Sequence, residues 1–115
     1  MTDLPIWGFQ VHDHGDFHTV TISGELDLTV AGDFRQMLIA QLDRAGTTAV
    51  EAELSEVTFL DSAGLGALIG AFQHAEQIGR GFTISGPVQN VQRVMQIAGV
   101  FDLLTVGDVR RSPSS

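Results

Sequence analysis

A chain of 115 residues without cysteine has room for one compact domain and excludes disulfides, thiolate nucleophiles and cysteine-based zinc sites. Fourteen Asp and Glu against six Lys and Arg give a formal net charge of -8, the wrong sign for a surface that neutralises nucleic-acid phosphates or an anionic membrane. Hydrophobic residues make up 43%, enough for a core and too many for a disordered chain.

The N-terminal segment carries Asp3, Pro5 and Gly8 and has no continuous apolar run, so no signal peptide is expected. Phe9 and Val11, then Phe17, Thr19, Val20 and Ile22, flank His14-Gly15-Asp16, which predicts a β-hairpin turning near Gly15. Gly24-Glu25-Leu26-Asp27 ends the second strand. A helix follows from residue 29 or 30 to 44, with Phe34, Leu38 and Leu42 at helical spacing and Gly46 as its stop. In residues 49–54, Val50, Ala52 and Leu54 alternate with Glu51 and Glu53, the pattern of a strand buried on one face and wet on the other.

Val57, Phe59 and Leu60 then lead into Asp61-Ser62-Ala63-Gly64 and a second helix to Ile78, with Leu65, Leu68, Ile69 and Phe72 on one stripe. This most apolar stretch is broken by Gly64, Gly66 and Gly70 and is too short to span a bilayer, so a soluble cytoplasmic protein is expected. Residues 82–84 form a short strand, and Gly86-Pro87 punctuates. Val91, Val94, Met95 and Ala98 recur at i, i+3, i+4, i+7, an amphipathic helix capped by Gly99. Residues 101–106 are expected to form a last strand, and residues 107–115, which include Arg110 and Arg111, a loose polar tail. The order β-β-α-β-α-β-α-β predicts an α/β fold in a single domain with its core over residues 9–106. Its sheet should be mixed and mostly parallel, of about four to five strands with interspersed helices.

Asp61-Ser62-Ala63-Gly64 sits where a strand meets a helix, and Asp61 or Ser62 there is an N-cap on local physics alone. The capping role is compatible with another. A serine at a helix N-terminus lies near unpaired backbone N–H groups and accepts a phosphate without unfolding anything. That modification adds about -1.5 to -2 charge beside Asp61 and changes the surface far more than the fold.

Gly24-Glu25-Leu26-Asp27 followed by Val57-Thr58-Phe59-Leu60-Asp61-Ser62-Ala63-Gly64-Leu65-Gly66 resembles the STAS domain of anti-sigma-factor antagonists. Gly86-Pro87-Val88 through Ala98-Gly99-Val100-Phe101 is similar to that family's third helix and last strand, so the resemblance spans residues 9–106. It implies that Ser62 is phosphorylated by a cognate anti-sigma factor, a serine kinase of the histidine-kinase-like ATPase fold. The unphosphorylated antagonist would bind that kinase and free a sigma factor for transcription, the phosphorylated form would let go, and a phosphoserine phosphatase would reset it. Asp27, Asp61, Ser62, Ala63, Gly64 and Leu65 match the partner-binding surface. The alternative on the same fold is a scaffold or accessory subunit of a stress-signalling or lipid-transport ATPase complex.

The chain departs from the family in Ala63, where some relatives have a second serine, and in Glu51 and Glu53 on a strand that relatives make more apolar. A helix after the last strand is expected to be a single turn or missing.

Enzymatic readings fare worse. A G-x-S-x-G elbow needs glycine where Leu60 stands, and His74, the only histidine after Ser62, lies in the same helix. The glycines from Gly64 to Gly70 miss the G-x-G-x-x-G spacing by one residue, so no cofactor is expected. His12, His14 and His18 with Asp13 and Asp16 suggest a metal, but a polar hairpin tip explains them more simply. Glu51 and Glu53, about 7 Å apart along a strand, read as a solvated face rather than an acid–base pair.

Overall fold

In the computed structural model, which describes residues 6–105, Gly15 turns the chain at φ +98° between strands β1 (Trp7–Asp13) and β2 (Phe17–Leu26). Asp13 fastens the turn by accepting the Gly15 N–H at 2.8 Å, and Arg44 reaches the same carboxylate at 3.0 Å. The Gly15 hydrogen bond, then that of Arg44, hold the Asp13 carboxyl below its ordinary value of 3.8.

Helix α1 (Ala31–Asp43), strand β3 (Ala49–Leu60), helix α2 (Ser62–Ile78), strand β4 (Gly81–Ser85) and helix α3 (Gln89–Ile97) follow. The sheet order is β1-β2-β3-β4, antiparallel in the first pair and parallel in the other two. The expected mixed, mostly parallel sheet is therefore present, with four strands among the described residues.

One face of the sheet is the core face. Val20 and Ile22 of β2, Val50, Ala52 and Leu54 of β3, and Phe82 and Ile84 of β4 join Phe34, Leu38 and Leu42 of α1 and Leu65, Leu68 and Phe72 of α2 in one buried cluster. Register places Thr19 beside Glu51 and Thr21 beside Glu53 on the opposite, half-exposed face, as the alternation of β3 requires. Strand β3 runs on to Leu60, but its alternation is broken twice, by the exposed pairs Ser55-Glu56 and Thr58-Phe59 on either side of buried Val57. The pairing of β2 with β3 shifts register at both points.

Two expectations are corrected. Residues 101–105 are helical, α4 (Phe101–Thr105), where a last strand was expected. Gly99, at φ +78°, ends α3 with the Gly99 N–H on the Gln96 carbonyl and the Val100 N–H on the Met95 carbonyl, both at 3.0 Å. The chain then re-enters a helical turn through Leu104 N–H to Val100 O, and Leu104 is buried while Asp102 and Leu103 face solvent. A short apolar run of this kind fits strand and helix equally by periodicity, and packing against β4 decides it. The single-turn helix thus stands in the strand's place rather than after it, and residues 107–115 lie outside the described residues.

The second correction concerns His18. It pairs with Asp13 beside the turn, yet its ring is buried rather than solvent-facing, with Nε2 2.9 Å from Thr47 Oγ1 and Nδ1 3.5 Å from Asp13 Oδ1.

Candidate functional site

Parallel pairing builds the site. Leu26 at the end of β2 and Leu60 at the end of β3 are direct register partners and both buried, so the residues that follow, Asp27 and Asp61, emerge side by side at one end of the sheet. The carboxyl ends of parallel strands, where helices begin, are where α/β folds present functional groups.

Asp61 is the N-cap of α2. Its backbone is extended (φ -102°, ψ -173°) and its Oδ1 accepts the Gly64 N–H at 2.9 Å. Its Oδ2 accepts the Leu28 N–H at 3.2 Å, so one carboxylate ties the start of α2 to the loop between β2 and α1. Asp27 shapes that loop from within: Oδ1 accepts the Thr29 N–H at 3.0 Å, and its carbonyl accepts the Val30 N–H at 3.1 Å. Ser62 is the first residue of α2 and is exposed. It stands at the positive end of a 17-residue helix.

The six residues expected to form the site fall into two groups. Asp27, Asp61, Ser62 and Ala63 reach the surface, whereas Gly64 and Leu65 are buried. Gly64 lies against the Leu26 carbonyl and the Leu60 side chain, and a Cβ at that position would stand 2.8 Å from Leu60 Cδ1. It lets α2 approach the sheet end closely enough for Asp61 to reach Leu28. Gly64 and Leu65 therefore set the surface from beneath.

His74 Nε2 is 2.7 Å from Asp43 Oδ1. Glu53 accepts from the Ser55 hydroxyl at 2.9 Å, and His14 stacks on Phe17 at 5.4 Å. Among the described residues no three His, Asp or Glu side chains converge as metal ligands, and no helix is long and apolar enough to cross a membrane.

Sequence reasoning missed two features. Leu28 is 77% exposed beside Asp27, and its signal was an apolar residue out of phase with the stripe through Phe34, Leu38 and Leu42. The second reach of Asp61, to Leu28, spans 33 positions of sequence and leaves no local trace.

A family model of the STAS domain matches residues 9–112. An anti-sigma-B factor antagonist of Staphylococcus epidermidis is 30% identical over 95 residues, which cover 83% of this chain and 87% of the relative. The crystal structure of an anti-sigma factor antagonist from Mycobacterium paratuberculosis superposes with a TM-score of 0.68 at 28% identity, over 86% of this chain and 82% of that one. The anti-sigma factor antagonist SpoIIAA in its unphosphorylated form shares the fold, with a TM-score of 0.73 at 19% identity over 93% of this chain and 100% of the other.

Proposed function

Because the chain belongs to the STAS-domain family, we propose that it is an anti-sigma-factor antagonist, a binding switch rather than an enzyme, controlled by phosphorylation of Ser62. In the unphosphorylated state it binds an anti-sigma-factor serine kinase of the histidine-kinase-like ATPase fold in the cytoplasm and frees a sigma factor for stress-responsive transcription. Phosphoryl transfer to the Ser62 hydroxyl dissolves the complex, and a phosphoserine phosphatase restores the binding form.

The observation that carries this reading is the exposed Ser62 hydroxyl at the start of α2, flanked by the Asp61 carboxylate and with Asp27 emerging alongside. A partner closing over that point desolvates it. A phosphate there brings about -1.5 to -2 charge next to an existing carboxylate, while the helix N-terminus accommodates it without rearranging the core. A thousandfold loss of affinity needs only about 4 kcal/mol, within what like charges across an interface supply.

The test is intact-mass analysis after incubation with candidate kinases and ATP. One added phosphate, absent from Ser62→Ala, supports the switch. Retention of a transporter ATPase in place of a kinase-fold partner, without modification of Ser62, supports the scaffold reading instead.

A further inference from the structure

An exposed leucine alone is ordinary on a protein surface. Leu28 differs in how it is held. Asp27 and Val30 close a turn around it through the Val30 N–H to Asp27 O bond at 3.1 Å, and the Thr29 N–H is fixed on Asp27 Oδ1 at 3.0 Å. The Leu28 N–H itself is fixed on Asp61 Oδ2 at 3.2 Å. The backbone is thus pinned on both sides of the side chain and at the residue itself, yet the side chain is 77% exposed. The carboxylate that pins it also caps the helix that begins at Ser62. Leu28 and Ser62 are therefore linked on one surface through Asp61.

We infer that Leu28 is an apolar anchor for the protein that docks over Ser62, and that Asp61 is the residue that positions it. The inference rests on the partner-switch reading and deepens it by naming the contact. The occupant is the anti-sigma factor that modifies Ser62. Its complementary surface is an apolar socket rimmed by basic or hydrogen-bond-donating groups, because Asp27 and Asp61 frame the leucine with acceptors. A side chain presented on a hydrogen-bonded backbone binds without the cost of ordering that backbone, so more of its transfer free energy appears as affinity.

The experiment titrates the anti-sigma factor that phosphorylates Ser62 in the mass assay into wild-type protein, Leu28→Ala, Leu28→Met, Asp61→Asn and Ser62→Asp. Calorimetry gives affinities, and amide hydrogen exchange at residue 28 reports the loop. Leu28→Ala is expected to bind roughly tenfold or more weakly with an unchanged unfolding midpoint, and Leu28→Met to recover most of the loss. Asp61→Asn keeps an oxygen for the Gly64 N–H and loses the acceptor for Leu28, so it is expected to exchange faster at residue 28 and to bind more weakly.

Leu28→Ala binding as wild type while Ser62→Asp fails to bind overturns the anchor and leaves the switch standing. Unchanged exchange in Asp61→Asn overturns the positioning role. Wild-type binding by Ser62→Asp removes the switch itself, and with it the ground for the anchor.

Discussion

Asp61 and Leu28, which lie in separate strand-to-helix connections, share a hydrogen bond at 3.2 Å, and the second oxygen of the same carboxylate caps α2 at Gly64. Removal of that carboxylate opens two structures at once. Asp61→Ala is expected to lose the capping contribution, about 0.5–2 kcal/mol, and to release the loop that begins at Asp27. Asp61→Asn should keep most of the stability, because asparagine caps as well as aspartate. Urea unfolding of the two variants beside wild type separates the cap from the rest, and equal destabilisation of both would show that the charge and the bond to Leu28, both lost in asparagine, matter more than the cap.

Gly64 and Gly66 stand on the same helix two residues apart and are expected to respond to alanine with opposite signs. A Cβ on Gly64 runs into the Leu26 carbonyl and comes within 2.8 Å of Leu60 Cδ1, whereas a Cβ on Gly66 meets nothing within 4 Å. Gly64→Ala is expected to destabilise by about 1–3 kcal/mol, the usual range for an overpacked contact. Gly66→Ala should stabilise by about 0.5–1 kcal/mol through helix propensity. Thermal and denaturant unfolding of the pair checks both, and a neutral Gly64→Ala would mean that α2 can move away from the sheet end without loss.

The contrast between local and distant constraints explains what could be read from the residues. The alternation of Val50, Ala52 and Leu54, the stripe of Phe34, Leu38 and Leu42, and the turn at Gly15 are local patterns with one physical solution each, and the observed elements follow them. Ser62 was legible for the same reason, since Asp61-Ser62-Ala63-Gly64 between a strand and a helical stripe places it at a helix start. Residues 101–105 were not, because Phe101, Leu103 and Leu104 satisfy a strand as readily as a turn of helix until Leu104 finds its place in the core. His18 looked like a tip residue by adjacency to His14 and Asp16. Only its register opposite Val50, and the distant Thr47 that bonds its ring, put it inside. Leu28 escaped because its role depends on a carboxylate that no local pattern connects to it.

Asp13 gives a pH dependence whose sign is fixed. The Gly15 N–H and the Arg44 guanidinium hold its folded-state carboxyl below the ordinary 3.8. On acidification the unfolded chain therefore takes up the proton first, and the folded state loses its advantage as the pH falls from 3.8 toward the lowered value. Above that window the contribution is fully present. Asp13→Asn should accordingly be less stable than wild type at neutral pH, with the gap narrowing as the pH falls through the window. Because the carboxylate is solvent-exposed, salt should shrink the part of the gap due to Arg44. Denaturation curves for both proteins from neutral to acidic pH measure it, and a gap that stayed constant would show that Asp13 contributes nothing through its charge.

Ser62→Asp tests whether a charge at the start of α2 acts on the partner or on the fold. An acid in the first turn of a helix gains about 0.3–1 kcal/mol from the dipole, and Asp61 immediately before it opposes that gain by like-charge repulsion. Since Ser62 is exposed and the cap at Gly64 is made by Asp61, no buried group has to move to accept the new carboxylate. The two effects should nearly cancel, leaving an unfolding free energy within about 1 kcal/mol of wild type and an unchanged far-UV spectrum. Binding to the anti-sigma factor, by contrast, should fall steeply, because a desolvated interface cannot screen the added charge. A stable, folded and non-binding Ser62→Asp places the effect at the interface. A variant that loses several kcal/mol of stability would instead place it in the fold, and the switch would then work by unfolding the helix start rather than by repelling the docked protein.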